Sequence, residues 1–210
     1  ADIGIAMGTT GTDVTKEASA MVLSDDNFSS IVAAVEEGRG IYDNIRKFIR
    51  YLLSTNIGEV LTMFLAVLMG LPLPMLPIQI LWMNLVTDGL PAMALGVDRY
   101  SPDIMDRPPR HPKESIFSHG MIWRIGTSGL VIGLCTLFAF QIGLSIGELD
   151  LARTMAFNTL VFFQLFYVFV CRSEVHSIFE VGLLTNPYLV AAVAVSAVLQ
   201  LTVVYMPFLQ

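Results

Sequence analysis

The chain is short of charge, of cysteine and of any basic surplus. Only 14% of its 210 residues are charged, against about 25% in a typical soluble domain. With 54% hydrophobic residues and a mean hydropathy of +0.66, that scarcity excludes disorder and argues against a water-soluble globule. Lys and Arg number 12 against 18 Asp and Glu, a net charge of −6. No excess of cations is available to hold a nucleic-acid backbone, so no nucleic-acid partner is expected. Cys135 and Cys171 both sit in apolar runs, with no CxxC or Cys/His spacing. They read as small buried apolar residues and not as a disulfide framework or a zinc site. The first 50 residues are too polar for a signal peptide. The chain opens on Ala1 without an initial Met, which leads us to expect further protein upstream.

What is present in quantity is long apolar sequence. A bilayer core needs roughly 20 apolar residues of helix. Five windows qualify, at about Tyr51–Leu73, Ile78–Val97, Met121–Ile146, Thr154–Cys171 and Pro187–Leu209. A buried soluble helical core is the alternative, but five such windows exceed what a chain of this size can enclose. Between Tyr51 and Asp98 there is no Lys or Arg, and the only acids before Asp98 are Glu59 and Asp88. If the N-terminus is cytoplasmic, Lys16, Arg39, Arg46, Lys47 and Arg50 fall inside. So do Arg99, Arg107, Arg110, Lys113 and Arg172, while the outer loops Pro72–Pro77 and Gly147–Leu151 hold no basic residue. That asymmetry predicts a multi-pass integral membrane protein, surrounded by lipid, with its N-terminus in the cytoplasm. An odd number of spans leaves the C-terminus outside, where we expect the chain to continue.

Residues 1–50 read as soluble protein. Asp2–Met7 is a β-branched run ended by Gly8, a candidate buried strand. Asp13–Ser19 is a short helix with Thr12 as its cap, and Met21–Leu23 is a second strand closed by the Ser24–Asn27 turn. Ile31, Val32, Val35, Ile41 and Ile45 then recur at helical spacing, and no proline interrupts Asn27–Leu71. The prediction is one long helix, half in water and half in lipid, which either transmits movement or merely connects. The strand–helix–strand–helix order is the tail of an α/β sheet whose remainder lies elsewhere.

Ionisable groups at bilayer depth are functional candidates by default. Glu59 and Asn56 lie three residues apart on the first span. Asn84, Thr87 and Asp88 lie at i, i+3 and i+4 on the second, which as an α-helix puts all three on one face. The short hairpin makes the two spans antiparallel neighbours, so their polar faces can meet. The five side chains offer five to seven oxygens and no His or Cys, which suits a hard cation such as Ca²⁺. Residue spacing alone leaves Ca²⁺, Mn²⁺, Na⁺ and H⁺ open, and helix-to-helix hydrogen bonding is the plainer role for Asn56 or Thr87 taken singly. The same plain role fits Gln164 and Asn158 on the fourth span. Gly58 allows either close packing or a local bend. Trp82 has no evident chemical role, and Trp123 suits an interface anchor.

Several stretches together resemble one family. They are Ala1–Gly8 (ADIGIAMG), Asp25–Phe28 (DDNF), Val35–Arg39 (VEEGR), Phe48–Tyr51 (FIRY), Asn56–Glu59 (NIGE), Leu81–Leu95 (LWMNLVTDGLPAMAL), Asp103–Arg110 (DIMDRPPR) and Ala152–Phe157 (ARTMAF). The chain resembles the C-terminal part of P-type cation-transporting ATPases, most nearly the type II, sarcoplasmic-reticulum-like calcium pumps. The resemblance implies a mainly α fold: a polytopic membrane helical bundle matching helices five to nine, preceded by the tail of an α/β phosphorylation domain. Residues 1–27 would end that domain, 28–50 would form a stalk helix, and 51–210 would form the membrane domain. Asn56, Glu59, Asn84, Thr87 and Asp88 stand at positions that bind calcium in the family, with Asp88 shared between two ion positions. The Asp103–Arg110 loop would help couple phosphorylation to the membrane.

The resemblance also defines what this segment does not contain. The DKTGT motif with the phosphorylated aspartate and the TGDGxNDxPAL segment are not in it. The nucleotide and actuator domains and the fourth and tenth helices are likewise outside it. ATP and Mg²⁺ would therefore bind elsewhere in a parent protein that transports Ca²⁺, and this segment alone is not expected to be active. Gln164 stands where sarcoplasmic-type pumps carry a glutamate; as a metal ligand it would supply one oxygen and no charge. The short loop between the third and fourth spans resembles microbial forms, which implies the plasma membrane. The rival expectations are a pump for Mn²⁺, Na⁺ or H⁺, and a truncated, non-catalytic membrane protein with a binding or assembly role.

Overall fold

Helix dominates the computed structural model, which describes residues 3–111, 113–118, 120–173, 180 and 182–206. Two strands, β1 (Ile5–Met7) and β2 (Met21–Leu23), pair in parallel with Ile5 opposite Met21. Between them lies α1 (Asp13–Ala18), whose first turn is capped by the Thr12 hydroxyl accepting from the Thr15 N–H. Then comes α2 (Ser29–Leu68), one unbroken helix of 40 residues. Its start is fixed by a relay of side-chain acceptors. Asp25 Oδ1 receives the Asn27 N–H, and Asn27 Oδ1 receives the Ser29 N–H. The expected strands, capped helix and long helix are all present, but the first strand, expected over Asp2–Met7 as a buried one, is only Ile5–Met7 with Ala6 alone buried; Asp2 lies outside the described residues.

The rest is α3 (Pro77–Trp82), a π-turn (Met83–Thr87), α4 (Gly89–Gly96), α5 (Met121–Ile146), α6 (Leu149–Val170) and α7 (Pro187–Tyr205). Taking α3 through α4 as one span, five helices among the described residues are long and apolar enough to cross a membrane. Three expected boundaries need correction. The first span's helix ends at Leu68 and not Leu73, because Gly70 adopts a positive φ of 66° and turns the chain. The fourth begins at Leu149 and not Thr154, which leaves Gly147, at φ 116°, and Glu148 as the connection. The last helix ends at Tyr205; Pro207–Leu209 of the expected span lie outside the described residues.

The largest correction concerns the second span, which is not a continuous α-helix. The Asp88 N–H bonds to the Met83 carbonyl, five residues back, at 2.8 Å. Pro91 explains the break: it has no N–H to give the Thr87 carbonyl, and its ring crowds that oxygen. Gly89 beside it lowers the cost of irregular backbone. A wide turn of this kind is a recognised response to an interrupted helical ladder.

The chain divides into two compact units, residues 1–43 with 100–109 and residues 44–99 with 110–210. In the first, Arg39 donates to the Ile104 and Arg107 carbonyls, both at 2.8 Å, and Arg107 pairs with Asp43 at 2.8 Å. The Tyr100 hydroxyl donates to Glu37 at 2.6 Å, over Gly40, where any Cβ would strike the ring. These contacts hold the loop 100–109 along α2.

The second unit has the polarity of a membrane protein. Val60, Phe64, Val67, Leu85, Phe138 and Phe166 are more than half exposed. Meanwhile Ser54, Thr55, Thr87, Asp88, Thr136, Gln164, Ser196 and Gln200 are fully buried. Apolar side chains outside and polar side chains inside suit a bundle whose solvent is hydrocarbon. Gly58 resolves in favour of close packing. A Cβ there would meet Ile132 at 2.7 Å, and one at Gly129 would meet Ile57 at 2.5 Å. Gly133 lies against the Gly58 carbonyl, so α2 and α5 cross backbone to backbone.

Candidate cation site

The buried face of α2 determines what the first span contributes. Tyr51, Thr55 and Glu59 lie at i, i+4 and i+8 and all point inward. Glu59 is 5% exposed and its carboxylate is held from two other elements. Oε2 accepts from Asn84 Nδ2 at 3.0 Å, and Oε1 accepts from Gln164 Nε2 at 2.8 Å. The π-turn, α2 and α6 thus converge on one carboxylate. Asp88, just after the π-turn, is fully buried. Its Oδ1 accepts from the Tyr51 hydroxyl at 2.9 Å. Among the described residues its Oδ2 finds no hydrogen-bond donor, and neither does the buried Oε1 of Gln164. Leaving such acceptors dry and unpartnered costs about 1–3 kcal/mol each, more for a charged group.

Of the six residues expected at the site, Glu59, Asn84 and Gln164 are joined directly. Asp88 and Thr87 are buried in the adjoining turn, with Thr87 Oγ1 donating to the Met83 carbonyl at 3.0 Å. Asn56 is not tied to this group: its amide donates to Leu52, one turn back on its own helix, at 2.7 Å. The single shared face expected for Asn84, Thr87 and Asp88 needs correction, because Asn84 is exposed while the other two are buried. A π-turn spreads residues more widely per turn than 3.6, so α-helical spacing misplaces them. Among the described residues, no group of three or more His, Cys, Asp or Glu side chains is arranged to hold a metal. The side chains joined to the Glu59 carboxylate are the Asn84 and Gln164 amides, with the second carboxylate, Asp88, buried nearby on the following turn.

Three partners went unseen in the sequence. Tyr51 read as the apolar head of a span, yet it is the donor to Asp88. Trp82, without evident role, donates its indole N–H to Gln200 Oε1 at 3.1 Å, and Gln200 passes its own amide to Asn158 at 2.9 Å. At the end of α4, Asp98 is 3% exposed. It takes Lys47 at 3.0 Å, Arg172 at 3.0 Å and Asn186 Nδ2 at 2.9 Å. Burial opposes its ionisation, but the Arg172 guanidinium and the Lys47 ammonium outweigh it and hold the carboxyl below its ordinary range.

Residues 72–210 match the family described as cation transporting ATPase, C-terminus. The chain belongs to the cation-transporting ATPases. It is 56% identical over 212 residues to a calcium-transporting ATPase of Bacillus subtilis, covering 100% of this chain and 24% of that protein. It is 45% identical over 211 residues to the human calcium-transporting ATPase type 2C member 1, covering 100% of this chain and 23% of the relative. A calcium-transporting ATPase of Yarrowia lipolytica is 42% identical over 211 residues, again across the whole chain and 23% of the relative. The chain thus spans about a quarter of the length of the curated relatives it matches. Within this ATPase segment, five membrane-length helices form a mainly α bundle of an integral membrane protein.

Proposed function

We propose that this segment supplies the cation pathway of an ATP-driven calcium exporter, with Ca²⁺ as the transported substrate. The observation that carries this reading is the pair of buried oxygens without donors among the described residues, Asp88 Oδ2 and Gln164 Oε1, beside a Glu59 carboxylate already gathered from three elements. A hard cation would answer both orphan oxygens at once and offset the burial of two acids. On ion entry the Asn84 and Gln164 amides would turn, since an amide can present nitrogen to a carboxylate or oxygen to a metal. Glu59, Asn84, Thr87, Asp88 and Gln164 form the proposed ligand set. Asn56 joins it only by releasing the Leu52 carbonyl. The relatives named as calcium-transporting ATPases support the choice of Ca²⁺.

In this reading residues 1–27 end a phosphorylation domain, α2 below Tyr51 is its stalk, and the five spans are helices five to nine of the pump. ATP and Mg²⁺ bind in the parent protein beyond this segment. The movement that follows ATP use travels along α2, reshapes the Glu59 and Asp88 surroundings, and sends the ion outward. Protons replace it on the carboxylates during return. The N-terminal side faces the cytoplasm, and a microbial parent would sit in the plasma membrane.

The test is ion-activated phosphorylation of the intact ATPase by ATP, in parallel with Ca²⁺, Mn²⁺, Na⁺ and no added ion. Activation by micromolar Ca²⁺, abolished by Asp88→Asn, is the expected result. Activation by Na⁺ alone, or calcium dependence unchanged in Asp88→Asn, would overturn the assignment.

A further inference from the structure

The π-turn makes α4 mechanically separate from α3, so the position of Asp88 depends on what holds the far end of α4. That end is held at Asp98, just past the eight residues of α4, roughly 12 Å of helix beyond Asp88. On one side is α2: Asn44 Nδ2 donates to the Gly96 carbonyl at 3.3 Å and the Asp98 carbonyl at 2.8 Å. Lys47, one turn on, donates to Asp98 Oδ2 at 3.0 Å and back to Asn44 Oδ1 at 3.0 Å. On the other side stand the end of α6 and the start of α7. Arg172 reaches both carboxylate oxygens, Nε to Oδ2 at 3.3 Å and Nη2 to Oδ1 at 3.0 Å. Asn186 donates to Oδ1 and to the Ala94 carbonyl.

Arg172 is itself fixed by the Gly182 carbonyl at 2.7 Å and Thr185 Oγ1 at 2.8 Å, so that side is braced beyond the carboxylate. The α2 side rests on two residues of one helix face. Buried ion clusters are a poor device for stability alone, because well-packed apolar side chains serve as well or better. They are effective where geometry must be specified and remade.

We propose that the Asp98 cluster is the joint through which α2 repositions Asp88. Asn44 and Lys47 form its driven side, and Arg172 and Asn186 its braced side. The α4 rod then works as a short lever between this joint and the cation site. Turning α2 pulls the Gly96–Asp98 end sideways, the braced side resists, and the π-turn yields. Asp98 and Lys47 touch no transported ion; they are positioning residues. The inference rests on the calcium-transport reading above, but not on the details of the ligand set.

The experiment uses the intact ATPase carrying this segment, purified with wild type, Lys47→Gln, and Lys47→Gln combined with Asn44→Ala. These variants spare the Asp98–Arg172–Asn186 side, which keeps the bundle closed; Lys47→Arg is the conservative control. Two readouts are taken: equilibrium binding of radioactive Ca²⁺, and maximal Ca²⁺-activated ATP hydrolysis. The expected result is calcium affinity within about twofold of wild type, with maximal hydrolysis lowered about tenfold in the double variant, a rise of about 1.4 kcal/mol in the barrier of the conformational step. Lys47→Arg should restore most of it. Unchanged hydrolysis in the double variant overturns the joint. A parallel loss of binding and hydrolysis also overturns it, since that marks a merely structural role. A wild type that neither binds Ca²⁺ nor is activated by it instead refutes the transport reading.

Discussion

The Tyr51 hydroxyl is the donor that satisfies one oxygen of Asp88, at 2.9 Å, while the other oxygen of the same carboxylate finds no donor among the described residues. Tyr51→Phe keeps the ring in its packing site and removes only the donor. We expect the ion-free protein to lose about 1–3 kcal/mol. Added Ca²⁺ should raise the melting temperature of the variant more than that of wild type, because binding to the folded state supplies what the donor no longer does. Thermal unfolding in detergent with and without Ca²⁺ measures both.

Overfilling the contact between α2 and α5 should cost more than its small residues suggest. Gly129→Leu places atoms where Ile57 and the Ser54 carbonyl already are. We expect a loss of about 1–3 kcal/mol, the usual range for an overpacked interior. Gly126→Ala, one turn away with nothing within 4 Å of the new Cβ, should not lower the melting temperature, since alanine favours the helix. Equal effects of the two would refute the close crossing.

Arg39→Ala should free the loop 100–109. Its guanidinium holds two carbonyls of that loop, and the exposed Arg107 pairs that remain are worth little. Limited proteolysis should cut between residues 100 and 109 several times faster, with no change in the melting temperature of the membrane bundle.

The Asp98 cluster should survive moderate acid. Because its carboxyl in the folded protein sits below the ordinary value, its contribution is complete above that value. It disappears only as pH falls through the lowered folded value. Protection of the Leu189 amide, whose N–H is capped by Asn186 Oδ1, relative to its intrinsic exchange rate at each pH, should therefore be unchanged from pH 7 to pH 5. A loss of that protection across the window would contradict the pairing.

Much of this was legible in the residues. The five membrane-length helices followed from apolar run length, and the long α2 from the lack of proline between Asn27 and Leu71. Glu59 stood out because a carboxylate among some twenty apolar residues has few plain explanations. What the sequence hid was angular. Asn84, Thr87 and Asp88 were counted at 3.6 residues per turn, although Pro91 four residues past Thr87 already carried the signal for a break. Spacing alone puts Asn56 with Glu59, whereas the inward stripe is Tyr51, Thr55 and Glu59.

Partners distant in sequence were hidden for a different reason. In the sequence Lys47 and Arg172 stand out only as charges that orient the protein across the bilayer, and Asp98 only as the limit of a stretch without Lys or Arg. Nothing local announces that the three meet, since Lys47 and Arg172 lie 125 positions apart. The same holds for Trp82 and Gln200.

The wide turn at Met83–Thr87 holds one residue more than a regular helix would need between the same two ends. Loss of a single residue there would let the ladder close and swing everything downstream by about a quarter of a circle. Asp88 would then face hydrocarbon, and Leu95 would leave the packing it now fills. Away from Asn84 and Thr87, at positions such as the exposed Leu85, this stretch should therefore accept exchanges of side chain far more readily than any change of length, a rule that a scan of one-residue deletions across positions 80–96 would expose as a sharp local intolerance.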